Sequence, residues 1–431
     1  MSLLIGPMQK HLNGHKDLTD HKDVIKVSPD KQVLIPLVAY GSTEVEVLVN
    51  ENDQVKVGTK IAVRDDGKMF IPIFSSVSGT VIKKVKNMHD MLRPIDHLVI
   101  ENDFRYEKIK SFEPLDYNEA SKEELITFMM NAGIVGCGGA GFPAYIKYKF
   151  AKDINTLLIN GVECEPYITA DYRVMSDNLD KLIVGCLAMQ KMANAKEVVI
   201  AIKKTKKDLI SKIAEKISDH KEIRIVEVPD VYPMGWERTV IYQIFKKRYD
   251  RLPGEVGIVV NNSTTAITFA HALLTGEAGV DKIVTFSGNA LKTTANVEVK
   301  IGTPISEIVA QLGGYSEDEV TVLSGGPMMG KAMPNDTFVV TAATNAITVL
   351  KPEKFPDMAC LRCGSCTDHC PAAIQPVRIN EFERAKDVDA LNRLSALDCI
   401  ECGMCTYVCP SRLEVTEGVR RAKRLIMAKK R

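Results

Sequence analysis

Hydrophobic and polar positions follow different patterns in successive parts of the chain of 431 residues. In residues 31–101, short β-branched runs alternate with turn signals, as in "KQVLIPLVAYGSTEVEVLVNENDQ", which predicts a small all-β unit. From about residue 115 the pattern changes to helical stretches that alternate with short apolar runs. Residues 121–136, "SKEELITFMMNAGIVG", begin with a serine cap and carry apolar residues at helical spacing, so they predict a helix.

The α/β pattern extends over residues 115–278 and predicts a mostly parallel sheet covered by helices. Its predicted buried strands are "NTLLING", "EVVIAI", "IRIVEVP" and "GIVVNN", and the helices between them include "DKLIVGCLAMQKMA" and "KKDLISKIAEKIS". The next segment, "KIVTFSGNALKTTANVEVKIGTPISEIVAQLGG", gives a strand, a loop, a strand and a helix, which is typical of a β-grasp unit. A proline-containing linker, "VLKPEKFPDMAC", then leads into a cysteine-rich end.

The amino-acid composition limits the classes of function that the chain can have. Lys and Arg number 56 and Asp and Glu number 55, so the chain lacks the global positive field of many nucleic-acid-binding proteins, and we expect no nucleic-acid partner. We find neither a signal-peptide pattern nor an apolar stretch near the ~18 residues that a membrane-spanning helix needs. The sequence therefore predicts a cytoplasmic, soluble protein, with peripheral attachment to a membrane complex through other subunits left open.

Eight of the eleven cysteines lie within residues 360–409, where "CLRCGSCTDHCP" and "CIECGMCTYVCP" both have the form C-x2-C-x2-C-x3-C-P. Three closely spaced thiolates bind one 4Fe-4S cluster, and the fourth, which precedes proline, reaches the other cluster. The predicted ligand sets are Cys360, Cys363 and Cys366 with Cys409, and Cys399, Cys402 and Cys405 with Cys370. Structural zinc is the alternative, but zinc sites rarely repeat this pattern. Two neighbouring clusters would conduct single electrons.

A glycine-rich loop, "GCGGAG", holds Cys137 between Gly136 and Gly138. It formally matches G-x-G-x-x-G, but a helix precedes it where the usual dinucleotide fingerprint requires a strand. Glycines without Cβ atoms still allow a phosphate or a flat ring to approach the backbone closely. Lys147 follows as a plausible phosphate or ring-carbonyl partner.

Several motifs in this order resemble one family. "GCGGAGFPAYIK", "INGVECEPYITADYRVM", "YPMGWER", "VVNNSTTA" and "TFSGNALKTTANVEVKIGTP", followed by two ferredoxin motifs, resemble the C subunit of the Rnf ferredoxin:NAD oxidoreductase complex. More distantly, the chain resembles the flavoprotein subunit of respiratory Complex I, which has "GRGGAGFPTGLK". The resemblance covers nearly the whole chain and includes the all-β unit, whose spacing is similar to the barrel-sandwich domains of biotinyl and lipoyl carriers. Since no "MKM" hairpin tip is present, we interpret that unit as a scaffold.

Together with the resemblance, the patterns predict a multidomain α/β and α+β chain of four units. These are an N-terminal β barrel-sandwich hybrid domain, a central α/β domain that binds FMN and NADH, a β-grasp (SLBB-like) domain, and a helical ferredoxin-like domain with two 4Fe-4S clusters. The predicted boundaries are 1–112, 113–279, 280–350 and 351–431.

The resemblance also implies cofactor-binding residues. It places FMN contacts on Gly136, Gly138, Gly139, Lys147, Asn160, Glu163, Tyr232, Val260, Asn261, Asn262 and Thr265. It places NADH contacts on Phe142, Phe150, Glu165 and Glu237, although the two phenylalanines taken singly are typical core residues. Related proteins have another residue at Cys137, which we take as a candidate catalytic thiol, activated by a helix start, or as a merely small residue.

The predicted function is electron transfer from NADH through FMN and two 4Fe-4S clusters to a redox protein partner. That partner is expected to be Rnf subunits, ferredoxin or a soluble reductase. The N-terminal segment, with "IPLVAYGSTEVEV" in place of the usual Rnf motif, suggests a paralogue, such as the electron-transfer protein associated with D-proline reductase in anaerobes. Val162 and Trp236 depart from the family pattern at the expected NADH site. The alternative hypothesis is a non-catalytic adaptor that relays electrons from another flavoprotein.

Overall fold

The computed structural model describes residues 10–139, 141–356 and 358–429, so the outermost residues of the predicted first and last units lie outside the described residues. The N-terminal segment 10–27 does not join the all-β unit that follows it. Lys10 forms a β-bridge with Tyr232, and Lys16 opens a short 3-10 helix, Lys16–Leu18. Strand β1 (Ile25–Val27) then adds to the sheet of the β-grasp unit. This segment therefore ties distant units together.

The barrel-sandwich unit consists of two antiparallel sheets, as the alternating pattern predicts. One sheet has the order β2-β8-β7-β4 and the other has the order β3-β5-β6. Alternate residues such as Val33, Ile35 and Ile61 are buried between the sheets. The strands are β2 (Gln32–Pro36), β3 (Glu46–Val47), β4 (Gln54–Val55), β5 (Lys60–Asp65), β6 (Phe70–Phe74), β7 (Gly79–His89) and β8 (Arg93–Asn102).

The central unit confirms the predicted α/β alternation. Its four strands are β9 (Thr156–Gly161), β10 (Glu197–Lys203), β11 (Ile223–Val228) and β12 (Ile258–Asn262). Its helices are α1 (Lys122–Asn131), α2 (Tyr145–Lys149), α3 (Ala170–Asp177), α4 (Leu179–Ala193), α5 (Lys207–Lys216), α6 (Glu237–Phe245) and α7 (Ser263–Thr275). Ser121 and Glu124 form the capping box expected at the start of α1.

All neighbouring strands of the central sheet are parallel, and their order is β11-β10-β9-β12. The chain first moves outward from β9 to β11 and then returns to the other side of β9 with β12. The strand order therefore reverses between β9 and β12. In open α/β sheets, ligands bind at the carboxyl ends of the strands beside such a reversal.

The β-grasp unit has the predicted strand, strand and helix, and three further strands follow them. Its elements are β13 (Asp281–Gly288), β14 (Ala295–Lys300), α8 (Ile305–Gln311), β15 (Thr321–Ser324), β16 (Lys331–Ala332) and β17 (Ala346–Leu350). The sheet order is β1-β14-β13-β17-β15-β16, so the N-terminal strand β1 closes one edge, parallel to β14.

The C-terminal unit is helical, with a small apolar core that includes Ile379, Leu391 and Val419. Its helices are α9 (Ser365–Asp368), α10 (Pro376–Arg384), α11 (Val388–Arg393), α12 (Met404–Tyr407) and α13 (Val415–Lys429). Gly403 lies so close to the β-grasp unit that an added Cβ would be 2.3 Å from the Met328 carbonyl oxygen. Across the described ranges, the structure contains no helix long and apolar enough to span a bilayer.

Candidate functional site

Two asparagines lie side by side where the strand order of the central sheet reverses. Asn160 near the end of β9 pairs in register with Asn262 at the end of β12. Asn160 donates its side-chain N–H to the Gly235 carbonyl (2.8 Å) and accepts from Val162 N (3.1 Å). These bonds fix the loops that leave β9 and enter α6, so this edge of the sheet carries a rigid polar surface.

The glycine-rich loop covers this edge. Gly136 N donates to the Phe142 carbonyl (2.8 Å), and Gly141 N donates to the Gly136 carbonyl (3.1 Å), which closes the loop into a compact turn. Gly138 faces Asn262, because an added Cβ would be 3.6 Å from its Nδ2 atom. Gly139 has φ +98°, is exposed, and would place a Cβ in open space. The loop therefore leaves room for a flat ligand to lie against its backbone.

The amino terminus of α7 points toward the same loop. Asn262 caps the helix by accepting from Thr265 N (3.2 Å), and its Nδ2 donates to the Asp171 carboxylate (2.7 Å). Thr264 Oγ1 also donates to Asp171 (2.6 Å). Ser263 is fully buried, and its hydroxyl has no hydrogen-bond partner among the described residues. Buried polar groups are normally satisfied, so an orphaned hydroxyl at the positive end of a helix suits a phosphate-bearing ligand.

Lys147 lies on α2, on the other side of the loop. Its ammonium group donates to the carbonyl of Val260 (2.6 Å). Burial lowers the pKa of Lys147, while the charge of Glu237 acts in the opposite direction. Asn261 is buried and donates to the Tyr148 hydroxyl. The predicted residues Lys147, Val260, Asn261 and Glu237 thus lie around one edge of the sheet.

Cys137 is buried beneath the glycine-rich loop. Its backbone N–H donates to Thr265 Oγ1 (2.9 Å), and its thiol lies 3.6 Å from the Val135 carbonyl oxygen. The expectation that a helix starts here is wrong: residues 137–139 form a turn, and α2 begins only at Tyr145. The residue instead joins the loop to α7 through its backbone.

The segment after β9 contacts the β-grasp unit, and Tyr232, which precedes α6, contacts the C-terminal unit. The Glu165 carboxylate accepts from the backbone N–H groups of Met328 (2.7 Å) and Met329 (3.0 Å). Tyr232 is fully buried, and its hydroxyl donates to the Cys402 carbonyl (2.6 Å) and lies 3.3 Å from Glu165. Glu165 therefore contacts the β-grasp unit, while Tyr232 contacts the cysteine-rich unit.

The structure does not bring the two predicted phenylalanines together. Phe142 packs edge-on against Tyr40 of the barrel-sandwich unit, with ring centroids 5.2 Å apart. Phe150 is 70% exposed, with its ring near the Lys149 ammonium. Trp236 precedes α6 and is partly buried, and Glu237 accepts a hydrogen bond from the Tyr249 hydroxyl (3.0 Å).

The two predicted cysteine sets differ in burial. Cys370, Cys399, Cys402 and Cys405 line one small cavity between the C-terminal helices, together with apolar residues such as Ile374 and Val419. In the other set, Cys360 and Cys363 are exposed and Cys366 and Cys409 are partly buried. Within the described residues, no group of three or more His, Cys, Asp or Glu side chains converges on a single-ion site. The four thiols line one cavity, as the ligands of a 4Fe-4S cluster must. The corners of such a cluster lie farther apart than the ligands of a single zinc ion.

Sequence motifs did not reveal Lys16 or Asp171 as site residues. Lys16 donates to the carbonyls of Glu163 (3.0 Å), Glu165 (2.7 Å) and Ile168. Asp171 N donates to the Glu163 carboxylate (2.7 Å), and its own carboxylate holds the start of α7. Lys16 comes from a segment more than a hundred residues away, so no local pattern signals it. Asp171 lies within the motif "CEPYITADYRVM", and its place in that motif is the only sequence feature that marks it as a site residue.

Comparison with known families agrees with the order of the four units. Models of four domains match the chain: the RnfC barrel sandwich hybrid domain over residues 10–105, the Nuo51 FMN-binding domain over 129–271, the SLBB domain over 283–332 and the 4Fe-4S dicluster domain over 354–413. The second model covers the switch point of the sheet and the glycine-rich loop. The fourth includes both cysteine sets.

Curated relatives resemble the chain over most of its length. The C subunit of the Na(+)-translocating ferredoxin:NAD(+) oxidoreductase complex of Acetobacterium woodii is 32% identical over 93% of this chain and 92% of its own. The C subunit of the ion-translocating oxidoreductase complex of Rhodobacter capsulatus is 33% identical over 90% of this chain and 76% of its own. A solved structure of an NAD+-reducing NiFe hydrogenase in the air-oxidized state aligns with a TM-score of 0.49 at 17% identity, covering 72% of this chain and 63% of that one.

The match of family and domains defines the cofactors and the general function. The FMN-binding domain and the dicluster domain give the chain one FMN and two 4Fe-4S clusters, and the chain is an electron-transfer subunit of an oxidoreductase system. The orphaned Ser263 hydroxyl and the open glycine-rich loop fit FMN, and the thiol-lined cavity fits a cluster. By its relatives and its domain order, the chain belongs to the RnfC family, the C subunits of ion-translocating ferredoxin:NAD(+) oxidoreductase complexes.

Proposed function

We propose that the chain takes electrons from NADH, passes them to FMN at the switch point of the central sheet, and delivers them through the two clusters to a redox partner. The observation that carries the proposal is the polar edge at the carboxyl ends of β9 and β12. There, paired asparagines and the start of α7 lie against the glycine-rich loop, in which Gly138 contacts Asn262 and Gly139 has open space beside it for a ring. FMN can accept two electrons with a hydride and release them singly, which suits a nicotinamide donor and one-electron clusters.

The FMN contacts follow from this placement. The α7 amino terminus, with Asn262 and the orphaned Ser263 hydroxyl, suits the phosphate, because N–H groups and the helix dipole favour negative charge there. Asn160 and Asn261 offer amide donors and acceptors to ribityl hydroxyls or ring edges. The backbone of Gly136, Gly138 and Gly139 would lie against the ring. The remaining predicted contacts are Lys147, Glu163, Val260 and Thr265.

For NADH, we propose that the nicotinamide approaches the exposed face of the glycine-rich loop and that Phe142 and Phe150 contact the adenine half. The side chain of Phe150 is exposed, while the ring of Phe142 packs edge-on against the ring of Tyr40. Glu237 would hold a ribose hydroxyl next to Lys147. Glu165 and Tyr232 would instead hold the central unit against the β-grasp and C-terminal units, since their polar atoms bond to residues of those units.

For the clusters, we propose that Cys399, Cys402 and Cys405 with Cys370 hold the one nearer to the flavin. Cys402 packs in one apolar group with Tyr232 and Cys164 of the central unit. Cys360, Cys363 and Cys366 with Cys409 would hold the outer cluster, whose exposed ligands suit transfer to a partner protein. Electrons would therefore flow from the flavin to the buried cluster and then to the exposed one.

As partner we propose Rnf-type subunits, ferredoxin or a soluble reductase such as D-proline reductase, with the chain on the cytoplasmic side of the membrane of an anaerobe. The relatives support the first choice, because they are named as subunits of ion-translocating complexes. Attachment at the inner face of the membrane would then be peripheral and would occur through those subunits.

Anaerobic purification followed by addition of NADH tests this proposal. We expect one flavin and two clusters per chain, and bleaching of the flavin and iron-sulfur absorbance by NADH. Bound flavin that NADH does not bleach would contradict the proposed donor. Clusters without any flavin would favour the adaptor hypothesis.

For Cys137 we propose a redox contact between its thiol and the flavin or a thiol-based partner. Replacing Cys137 by Ser keeps a small side chain and the backbone bond to Thr265 but removes the sulfur. We expect FMN affinity to stay within about threefold, which corresponds to about 0.7 kcal/mol, because serine has nearly the same size and the backbone bond to Thr265 is retained. Turnover with the physiological acceptor should fall at least tenfold. Unchanged turnover would show that Cys137 is only a small packing residue.

A further inference from the structure

The two cysteine motifs are related by a structural repeat, in which Cys360 of the first motif corresponds to Cys399 of the second. Helix α9 corresponds to α12, and the start of α10 at Pro376 corresponds to the start of α13 at Val415. In both motifs, the backbone N–H two residues after the first cysteine donates to the sulfur of that cysteine, at 3.4 Å and 3.3 Å. Corresponding positions of the two motifs can therefore be compared directly.

The repeat differs at the second residue of the helix that follows each motif. The first motif has Val377 in α10, and the second has Thr416 in α13. Thr416 is only 6% exposed, and its Oγ1 lies 3.2 Å from the sulfur of Cys405, a proposed ligand of the buried cluster. Valine and threonine have nearly the same shape, so the two positions differ mainly by a hydroxyl that contacts a ligand sulfur.

The hydrogen bonds around Thr416 determine which atom donates to the other. Thr406 Oγ1 donates to Thr416 Oγ1 (2.9 Å), and Thr416 N donates to Thr406 Oγ1 (2.9 Å). The Thr416 hydroxyl is thus an acceptor from Thr406 and keeps its own proton for another partner. A cysteine sulfur that binds iron carries no proton and can only accept. With a cluster bound, the Thr416 hydroxyl must therefore donate to the Cys405 sulfur.

A donor at this sulfur favours the reduced form of the cluster. Reduction of a 4Fe-4S cluster adds one electron, and hence one unit of negative charge, which hydrogen bonds to the ligand sulfurs stabilise. Burial has the opposite effect, because a poorly solvated site disfavours added charge. Cys370, Cys402 and Cys405 are only 7–8% exposed. The Thr416 hydroxyl therefore offsets part of the effect of burial.

We propose that Thr416 is a positioning residue that acts through Cys405: its hydroxyl raises the reduction potential of the buried cluster, and Thr406 orients that hydroxyl. This proposal rests on the ligand set of Cys399, Cys402, Cys405 and Cys370 proposed above. The raised potential would let this cluster accept an electron from the flavin although apolar residues such as Ile374 and Val419 line the same cavity.

An anaerobic titration with dithionite, followed by electron paramagnetic resonance, tests the proposal on the full chain with FMN and both clusters. The signal that is missing in Cys402→Ser identifies the buried cluster. In Thr416→Val, we expect the equilibrium constant for reduction of that cluster to fall about tenfold, which is about 59 mV for a one-electron couple. Iron content and the potential of the other cluster should not change. Since Val377 occupies the corresponding place in α10, the fold accommodates valine there.

Two further variants separate the hydroxyl from its surroundings. Thr416→Ser keeps the hydroxyl, so the equilibrium constant for reduction should stay within about threefold of the original. Ser411→Ala is the matched control, because Ser411 is 3% exposed and its hydroxyl donates to the Ala359 carbonyl (2.9 Å) instead of to a sulfur. It should leave both potentials unchanged.

An unchanged potential in Thr416→Val would overturn the proposal. So would an equal shift in Ser411→Ala, or loss of the cluster from Thr416→Val, since either would make the Thr416 hydroxyl a structural group. If Thr416→Val shifted the signal that Cys402→Ser leaves intact, the effect of the hydroxyl would stand and the proposed ligand set would be wrong. Dithionite is the reductant, so a wrong assignment of NADH as the donor would leave the result unaffected.

Discussion

Cys402→Ser is expected to remove the buried cluster and to stop electron flow from the flavin to the exposed cluster. Cys402 lines the thiol cavity and lies in the apolar group that contains Tyr232. Serine is a poor ligand for iron where a thiolate is required, so about half of the iron should be lost. Flavin content should be retained, because the FMN crevice lies at β9 and β12. Iron and flavin analysis and the rate of cluster reduction by NADH measure these effects.

Cys363→Ser is the matched comparison, because it removes the same side chain from the exposed set. We expect it also to lose about half of the iron, but NADH should still reduce the remaining cluster at an undiminished rate, while transfer to a partner should fail. If Cys402→Ser still allowed rapid reduction of the exposed cluster, the proposed order of the clusters would be wrong.

Asn262→Ala is expected to weaken FMN binding strongly. The change removes the cap of α7, which typically costs about 1 kcal/mol, and it leaves the buried Asp171 carboxylate without one donor, which costs roughly 1–3 kcal/mol. These costs lower the stability of the protein, whereas the affinity changes through the hydrogen bond that Asn262 would give the FMN phosphate, which is worth roughly 1.5–3 kcal/mol for a charged partner. Since about 1.4 kcal/mol corresponds to a tenfold change in affinity, the dissociation constant for FMN should rise roughly 10- to 100-fold. Quenching of flavin fluorescence on binding to flavin-depleted protein measures the effect.

Asn118→Ala serves as a control, because Asn118 is exposed in the segment before α1 and its side chain bonds with Asp116. It should leave FMN affinity unchanged. If Asn262→Ala bound FMN as tightly as the control, the flavin would not lie at the start of α7, and the assignment of the crevice between β9 and β12 would fail.

Local sequence patterns predicted the strands, the helix cap and the cysteine set, because each of these depends on residues that are close together in the sequence. Strands β9, β10 and β12 contain continuous apolar runs because helices cover both faces of the sheet, so the sequence pattern reveals them directly, whereas the edge strand β11 alternates and carries exposed Arg224 and Glu227. The capping box at Ser121 depends on residues only three positions apart. The Cys370, Cys399, Cys402 and Cys405 set follows from a repeated spacing, and the structure gathers these four thiols around one cavity.

Contacts between distant segments could not be predicted in this way. The N-terminal segment sends β1 into the β-grasp sheet and Lys16 to the carbonyls after β9, and no periodicity or motif encodes either contact. Tyr232 was assigned to FMN by resemblance, but its hydroxyl contacts Cys402 across a unit boundary. The prediction of a helix start at Cys137 is wrong, because the glycines favour a tight turn there and the helix begins only after Pro143.

The order of electron transfer can be followed by freezing the protein rapidly at successive times after anaerobic mixing with NADH and recording electron paramagnetic resonance and optical spectra. We expect flavin absorbance to bleach first, the cluster lost in Cys402→Ser to be reduced next, and the cluster lost in Cys363→Ser to be reduced last. Reduction of the exposed cluster before the buried one, or of either cluster without prior change in the flavin, would contradict this order.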